Sequence, residues 1–182
     1  MTKTHRFLKY CIAAINIVVF SPLALADTFL LVPGFTGDST DPSHKGWLRV
    51  TSVEWTVGSN GTFPARNGTE DINVGLGVPI GLTVQLPSGP WSIALMRRIA
   101  SGNSAGQVTI DHVASDGKPI YRMRLDRVFL KQYQVASTSR TMPVDEIAMV
   151  FRAIRYEYFV VGADGRISST AVEWNIGAGT IN

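Results

Sequence analysis

Two Asp-Gly dipeptides, Asp116-Gly117 and Asp164-Gly165, each lie between long segments in which apolar and polar residues alternate. Alternation with a period of two marks a half-buried strand, and Asp-Gly takes up the backbone that a tight hairpin turn demands. The C-terminal half is therefore constrained to fold largely as antiparallel β-structure. Gln107 to Ala114 runs into the first turn, and Ile120 to Val135 runs back. Ser137 to Pro143 reads as a loop and Val144 to Val161 as one long strand. Arg166 to Ile176 closes the sheet after the second turn.

The preceding half adds strands and one helix. Thr28 to Val32 is a short apolar strand. Pro33 to Gly46 is dense in turn-forming residues and reads as a loop. Trp47 to Val57 reads as a long strand, with Trp47, Val53, Trp55 and Val57 on one face. Leu48 and Val50 fall on the opposite phase, which suggests that this end is covered on both faces. Gly58 to Gly81 holds six glycines, two prolines and no period, so it reads as a loop. Its two Asn-Gly-Thr triplets, at 60–62 and 67–69, are formal glycosylation acceptors, but Asn-Gly is equally a turn dipeptide. Ile80 to Leu86 is a strand. Pro90 then opens a helix in which Trp91, Ala94, Leu95 and Ile99 share a face, and Gly102 ends it. Many strands, tight turns and one helix predict a mainly β fold, a two-sheet barrel or sandwich with the helix packed outside. No repeat or linker divides the chain.

The N-terminus carries an export pattern. Lys3, His5, Arg6 and Lys9 form a basic head, and Cys11 to Leu25 contains no Asp, Glu, Lys or Arg. Ala24-x-Ala26 supplies the small side chains of a signal-peptidase site, so residues 1–26 read as a secretory leader cut before Asp27. The apolar run is broken by Asn16, Ser21 and Pro22 and is short of the ~20 residues that span a bilayer. Residues 27–182 are the expected single domain, exported to the periplasm or beyond, with no membrane association once the leader is gone. Loss of Lys3, Arg6 and Lys9 leaves as many bases as acids, 14 of each. A neutral domain has no global charge with which to attract nucleic acid. The sole cysteine, Cys11, leaves with the leader, so neither disulfide nor thiolate chemistry is available.

The residues give little support for an enzyme. His44 and His112 are the only mature histidines. Asp38, Asp41 and His44 form one mixed cluster in the first loop, but turn residues bonding local backbone explain it more simply than a metal site does. His112 alternates with Ile110 and Ala114 and reads as a packed histidine. No Gly-x-Ser-x-Gly elbow occurs, and Gly75-x-Gly77-x-x-x-Gly81 misses the dinucleotide-binding spacing. Arg122, Arg124, Arg127 and Lys131, with Arg152 and Arg155, form a basic stretch. Asp126, Glu146 and Glu157 lie close enough in sequence to favour salt bridges over a nucleic-acid surface. No catalytic residue, cofactor or metal is expected.

The stretch "FLLVPGFTGDSTDPSHKGWLRVTSVEW", residues 29–55, resembles the opening of the haemolysin-coregulated protein (Hcp) family, the tube protein of type VI secretion. Gly34, Gly37, Asp38, Ser39, Asp41, His44 and Trp55 sit where that family has a Gly-x-x-Gly-[Glu/Asp]-Ser-x-Asp-x-x-His loop and a tryptophan-bearing strand. The helix end "RRIASGN", the 107–135 hairpin and "EIAMVFRAIRYEYFVVGADGRI" at 146–167 are also similar to it. The resemblance implies a two-sheet β-barrel with one flanking helix, assembled as hexameric rings that stack into a hollow tube. It implies a structural part or carrier whose partners are further copies of itself, the secretion spike and sheath, and small effector proteins. It also offers Gly37, Asp38, Ser39, Asp41 and His44 as a ring-stacking loop. The family is usually without a leader, so either the leader here is not used and the chain joins an ordinary tube, or this member works in the periplasm or outside. The alternative is a monomeric exported binding barrel using 58–81 as its binding loop, or a secreted effector.

Overall fold

The computed structural model describes residues 26–62 and 73–182. The expected leader, up to Leu25, lies outside the described residues, as does the centre of the glycine-rich stretch. Ten strands and one helix follow in the order β1 (Ala26–Leu31), β2 (Leu48–Val50), β3 (Ser52–Thr62), β4 (Asn73–Pro87), α1 (Trp91–Ser101), β5 (Gly106–Ala114), β6 (Pro119–Thr138), β7 (Thr141–Val150), β8 (Ala153–Val161), β9 (Ile167–Asn175) and β10 (Thr180–Ile181). All pairings are antiparallel. One sheet runs β10-β9-β8-β6-β5-β1-β2, and the other joins β3, β4, β7 and the far half of β6.

The two sheets are joined by strands that bend. β6 pairs with β5 and β8 through its first half and with β7 through its second. The change falls at Arg127, whose φ of 50° is left-handed, beside a register shift against β5. A bulge of this kind adds one residue and turns the strand. β7 and β8 turn at the same corner, where the Arg152 N–H donates to the Asp126 carbonyl at 2.9 Å. At the opposite corner β2 passes into β3 through Thr51, whose N–H donates to the Gln85 carbonyl at 2.8 Å. The ladders do not close into an unbroken ring, because β2 and β3 are successive stretches of one bent strand in different sheets.

This bend explains the phase change in 47–57. Leu48 and Val50 are buried from one sheet, whereas Val53 and Trp55 pack on the core from the other. One residue, Thr51, switches the even positions for the odd. Three other expectations need correction. The described ends of the 58–81 stretch are not loop: Gly58 pairs with Val78, Ser59 with Gly77 and Thr62 with Asn73, so both arms are strand. Ser137 to Pro143 is mostly strand, with its turn confined to Ser139 and Arg140. Val144 to Val161 is two strands in different sheets, broken at Phe151–Arg152. Alternation is preserved through such corners, so the pattern alone gives no sign of them.

The core lies between the sheets. Leu30, Leu48, Leu82, Val84, Leu86, Val108, Ile110, Leu125 and Ile147 are buried, each on the inward phase of its strand. The helix covers one flank with Trp91 and Leu95. Gly102 ends it in the left-handed conformation (φ 64°), returning its N–H to the Ile99 carbonyl. The helix start is tied to the barrel by Asp145 of β7, which is fully buried. Its carboxylate accepts from the hydroxyls of Ser88 (2.6 Å), Ser92 (2.5 Å) and Tyr133 (3.0 Å). Burial, and then this bond to Asp145, pushes the Tyr133 hydroxyl up. A carboxylate at a helix N-terminus also meets the positive end of the dipole.

Candidate functional site

The first loop is folded onto the barrel by its own backbone. The Gly37 N–H donates to the Gly46 carbonyl (2.8 Å), Ser39 to Trp47 (3.1 Å) and Gly46 to Ser39 (2.9 Å). Glycine is required at 37: a Cβ there would stand 2.2 Å from the Trp47 carbonyl oxygen. Asp41 organises the crest, its Oδ1 accepting the N–H groups of Ser43 and His44, both at 2.9 Å. This is the local turn chemistry that short acidic side chains favour.

His44 then joins the loop to the sheet. Its Nδ1 lies 2.8 Å from Asp41 Oδ1, and its Nε2 lies 3.1 Å from Asp111 Oδ2 on β5. The ring stacks on Phe29 of β1, with centroids 4.3 Å apart and planes 5° from parallel, and meets the edge of Trp47 at 4.9 Å. Asp111 is buried, and Arg122 of β6 grips it with Nε at 2.6 Å and Nη2 at 2.5 Å. The bond from His44 holds the Asp41 carboxyl below its usual range, and Asp111 raises Arg122 further. A two-pronged guanidinium–carboxylate pair is the strong form of this contact.

The structure therefore brings Ser39, Asp41 and His44 into one internal knot with Gly37 beneath it. Ser39 and His44 are buried, while Asp38 is exposed together with Thr40, Pro42, Ser43 and Lys45. The exposed residues form the crest of the loop, and the buried ones hold its shape. Asp111 escaped the sequence reading, and Arg122 was read only as part of a basic stretch. The available signal is an acid in the middle of a strand, on the face that it shares with Thr109 and Val113 and opposite Ile110 and His112.

The remaining basic residues are partly neutralised in the same sheet. Arg155 meets Glu173 at 2.5 Å and Glu157 at 3.9 Å, while Arg124 stands opposite Arg155 across the strand pair. Between them opens a shallow groove of about 450 Å³ lined by Gln107, Arg124, Asp126, Arg155, Glu173 and Asn175, of mixed charge. His112 stacks on Tyr121 at 4.8 Å, with Nδ1 2.7 Å from the Thr28 hydroxyl, and burial lowers its pKa. This is the packed histidine that alternation implies. Among the described residues no group of three or more His, Cys, Asp or Glu is placed to hold a metal ion, and no helix is long and apolar enough to cross a membrane.

A family model described as "Type VI secretion system effector, Hcp" matches residues 29–158. No curated protein matches the sequence. Among solved structures, the chain is similar to a protein described as a type six secretion system protein. That likeness has a TM-score of 0.79 at 20% identity, covering 87% of this chain and 100% of the other. Hcp1 from Salmonella typhimurium aligns with a TM-score of 0.73 at 18% identity, over 88% of this chain and 100% of its own. A type VI secretion system effector from Yersinia pestis aligns with a TM-score of 0.64 at 17% identity, over 82% and 99%.

Proposed function

Because this chain belongs to the Hcp family of type VI secretion, we propose that it works as an exported, ring-forming tube subunit or effector carrier. The observation that carries the reading is the extent of the family match, which runs from β1 into β8 and so takes in strands of both sheets. Family members are structural parts, not enzymes.

Two features suit assembly. Among the described residues β3 pairs only with β4, and β9 is covered by β10 only near Trp174 and Asn175. Each sheet thus ends in an open strand edge, and soluble proteins cover such edges by pairing or assembly. Val57 on β3, and Ile167 and Val172 on β9, are exposed beside those edges. Closed cyclic symmetry would satisfy them all at once. The first loop then supplies the stacking contact between rings through its exposed crest, with Asp38 and Lys45 as its charges, while Gly37, Ser39, Asp41 and His44 fix its form. The leader 1–26 directs the domain 27–182 to the periplasm or outside. Spike, sheath and small effectors are the partners of this role.

Negative-stain microscopy of the mature chain, with light scattering for mass, tests the proposal. Six-membered rings support it. A clean monomer overturns it in favour of an exported monomeric binding barrel.

A further inference from the structure

The bond that a signal peptidase would cut, Ala26–Asp27, lies inside β1 and not ahead of it. We infer that leader removal must precede folding: once the domain has folded, its own first strand withholds the processing site. This rests on the leader reading above and adds an order of events to it.

The strand begins at Ala26. Ala26 is paired with Ala114, Asp27 with Val113 and Thr28 with His112 on β5, and Thr28 is also paired with Val50 of β2 on the other edge. The side chains of Ala26 and Asp27 are exposed, but their backbone is engaged in the ladder. A peptidase must take residues on both sides of the bond into its cleft as a free extended chain. On the mature side those residues are Asp27 and Thr28. Freeing them opens three rungs of the β1–β5 ladder, one rung of the β1–β2 ladder and the 2.7 Å contact between the Thr28 hydroxyl and His112.

Fraying cannot easily reach so far. The next residue, Phe29, is 2% exposed and stacked on His44, and Leu30 is fully buried. β1 is thus clamped immediately beyond the bond. A folded protein is cut only through the small fraction of molecules that open at the site. An unfolded chain in transit presents the same bond without that cost. A copy that folds before export keeps its leader, and a copy that is exported unfolded loses it, so folding and processing sort the chain into two forms.

The test uses the full chain and purified bacterial signal peptidase in detergent, with the product read by mass. One sample is folded, and the other is unfolded in urea and diluted into the reaction immediately before cleavage. The unfolded precursor should be cut after Ala26 at least about tenfold faster than the folded one, the ratio set by the rarity of local opening. A variant with about ten Gly and Ser residues inserted between Ala26 and Asp27 moves the bond off the ladder on a flexible tether. Its folded form should be cut as fast as the unfolded wild type. Equal rates for folded and unfolded wild type would overturn the inference and leave the leader reading standing. Resistance that survives the insertion, while the unfolded chain is cut, would also overturn it. Failure of every form to be cut would overturn the leader reading, and the inference with it.

Discussion

His44 is a small aromatic residue set between two carboxylates and two aromatic rings, and through it a surface loop becomes part of the barrel. Its far partner, Asp111, depends on Arg122. Removing Arg122 would leave the buried Asp111 with His44 as its remaining partner, and breaking a fully buried charge pair costs at most about 3–5 kcal/mol. Arg122→Met should therefore lower the urea midpoint strongly, and adding Asp111→Asn should recover part of the loss, as a double-mutant cycle would measure. Asp41 gives the loop a pH response. Its carboxyl is held below the ordinary 3.8, chiefly by His44. A lowered folded pKa contributes stability that is present above the ordinary value and is lost as pH falls through the lower, folded one. The loop should hold at neutral pH and loosen in acid below about pH 3.8, read as a change in Trp47 emission, and Asp41→Asn should abolish that step. Gly37→Ala places a methyl against the Trp47 backbone, which cannot withdraw like a flexible side chain. A cost of about 1–3 kcal/mol is the usual penalty for overpacking.

At the scale of elements, the helix and the long hairpin make opposite points. The helix is held by few but deep contacts. Leu95 is fully buried, so Leu95→Ala should cost about 2–5 kcal/mol by thermal or urea unfolding. Its exposed neighbours Ile93 and Met96 should tolerate alanine. The hairpin of β3 and β4 is held by its ladder. The alternate amides of 57–61 and 74–78 that face the partner strand should exchange with solvent more slowly than those on the open edge, and fast exchange through both arms would refute that pairing. Excising 58–81 would cut into β4, which pairs with β7 from Leu82 onward, instead of trimming a loop.

At the scale of the whole molecule, the expectation concerns assembly. Asp41 is engaged inside its own loop, so an Asp41→Arg change would unfold the crest as well as alter any contact it makes. Asp38 is exposed and free of such duty. Asp38→Arg should leave the unfolding temperature within a few degrees of wild type, as surface changes usually do. It should also shorten or abolish stacks of rings while single rings persist, seen by negative-stain microscopy. Stacks that withstand Asp38→Arg and Lys45→Glu together would remove the first loop from the stacking contact.

Features of short range are written along the chain. Alternation placed the apolar residues on the inward face of nearly every strand, Asp-Gly marked two hairpins, and Pro90 and Gly102 bounded the helix to within a residue. The turn residues of the first loop, and its likeness to the Hcp family, were legible because spacing along the chain carries both. Tertiary structure decided what spacing cannot express. At Thr51, Arg127 and Phe151–Arg152, strands that read as continuous cross from one sheet to the other, because a single bulge or bend redirects a strand without breaking its pattern. Glycines that signal a loop became strand arms at 58–62 and 73–81, because ladder pairing with a neighbour overrides weak local propensity. The partner of His44 was beyond reach for the same reason. Asp111 lies 67 residues away, and only the pairing of β1 with β5 brings that carboxylate beneath the loop.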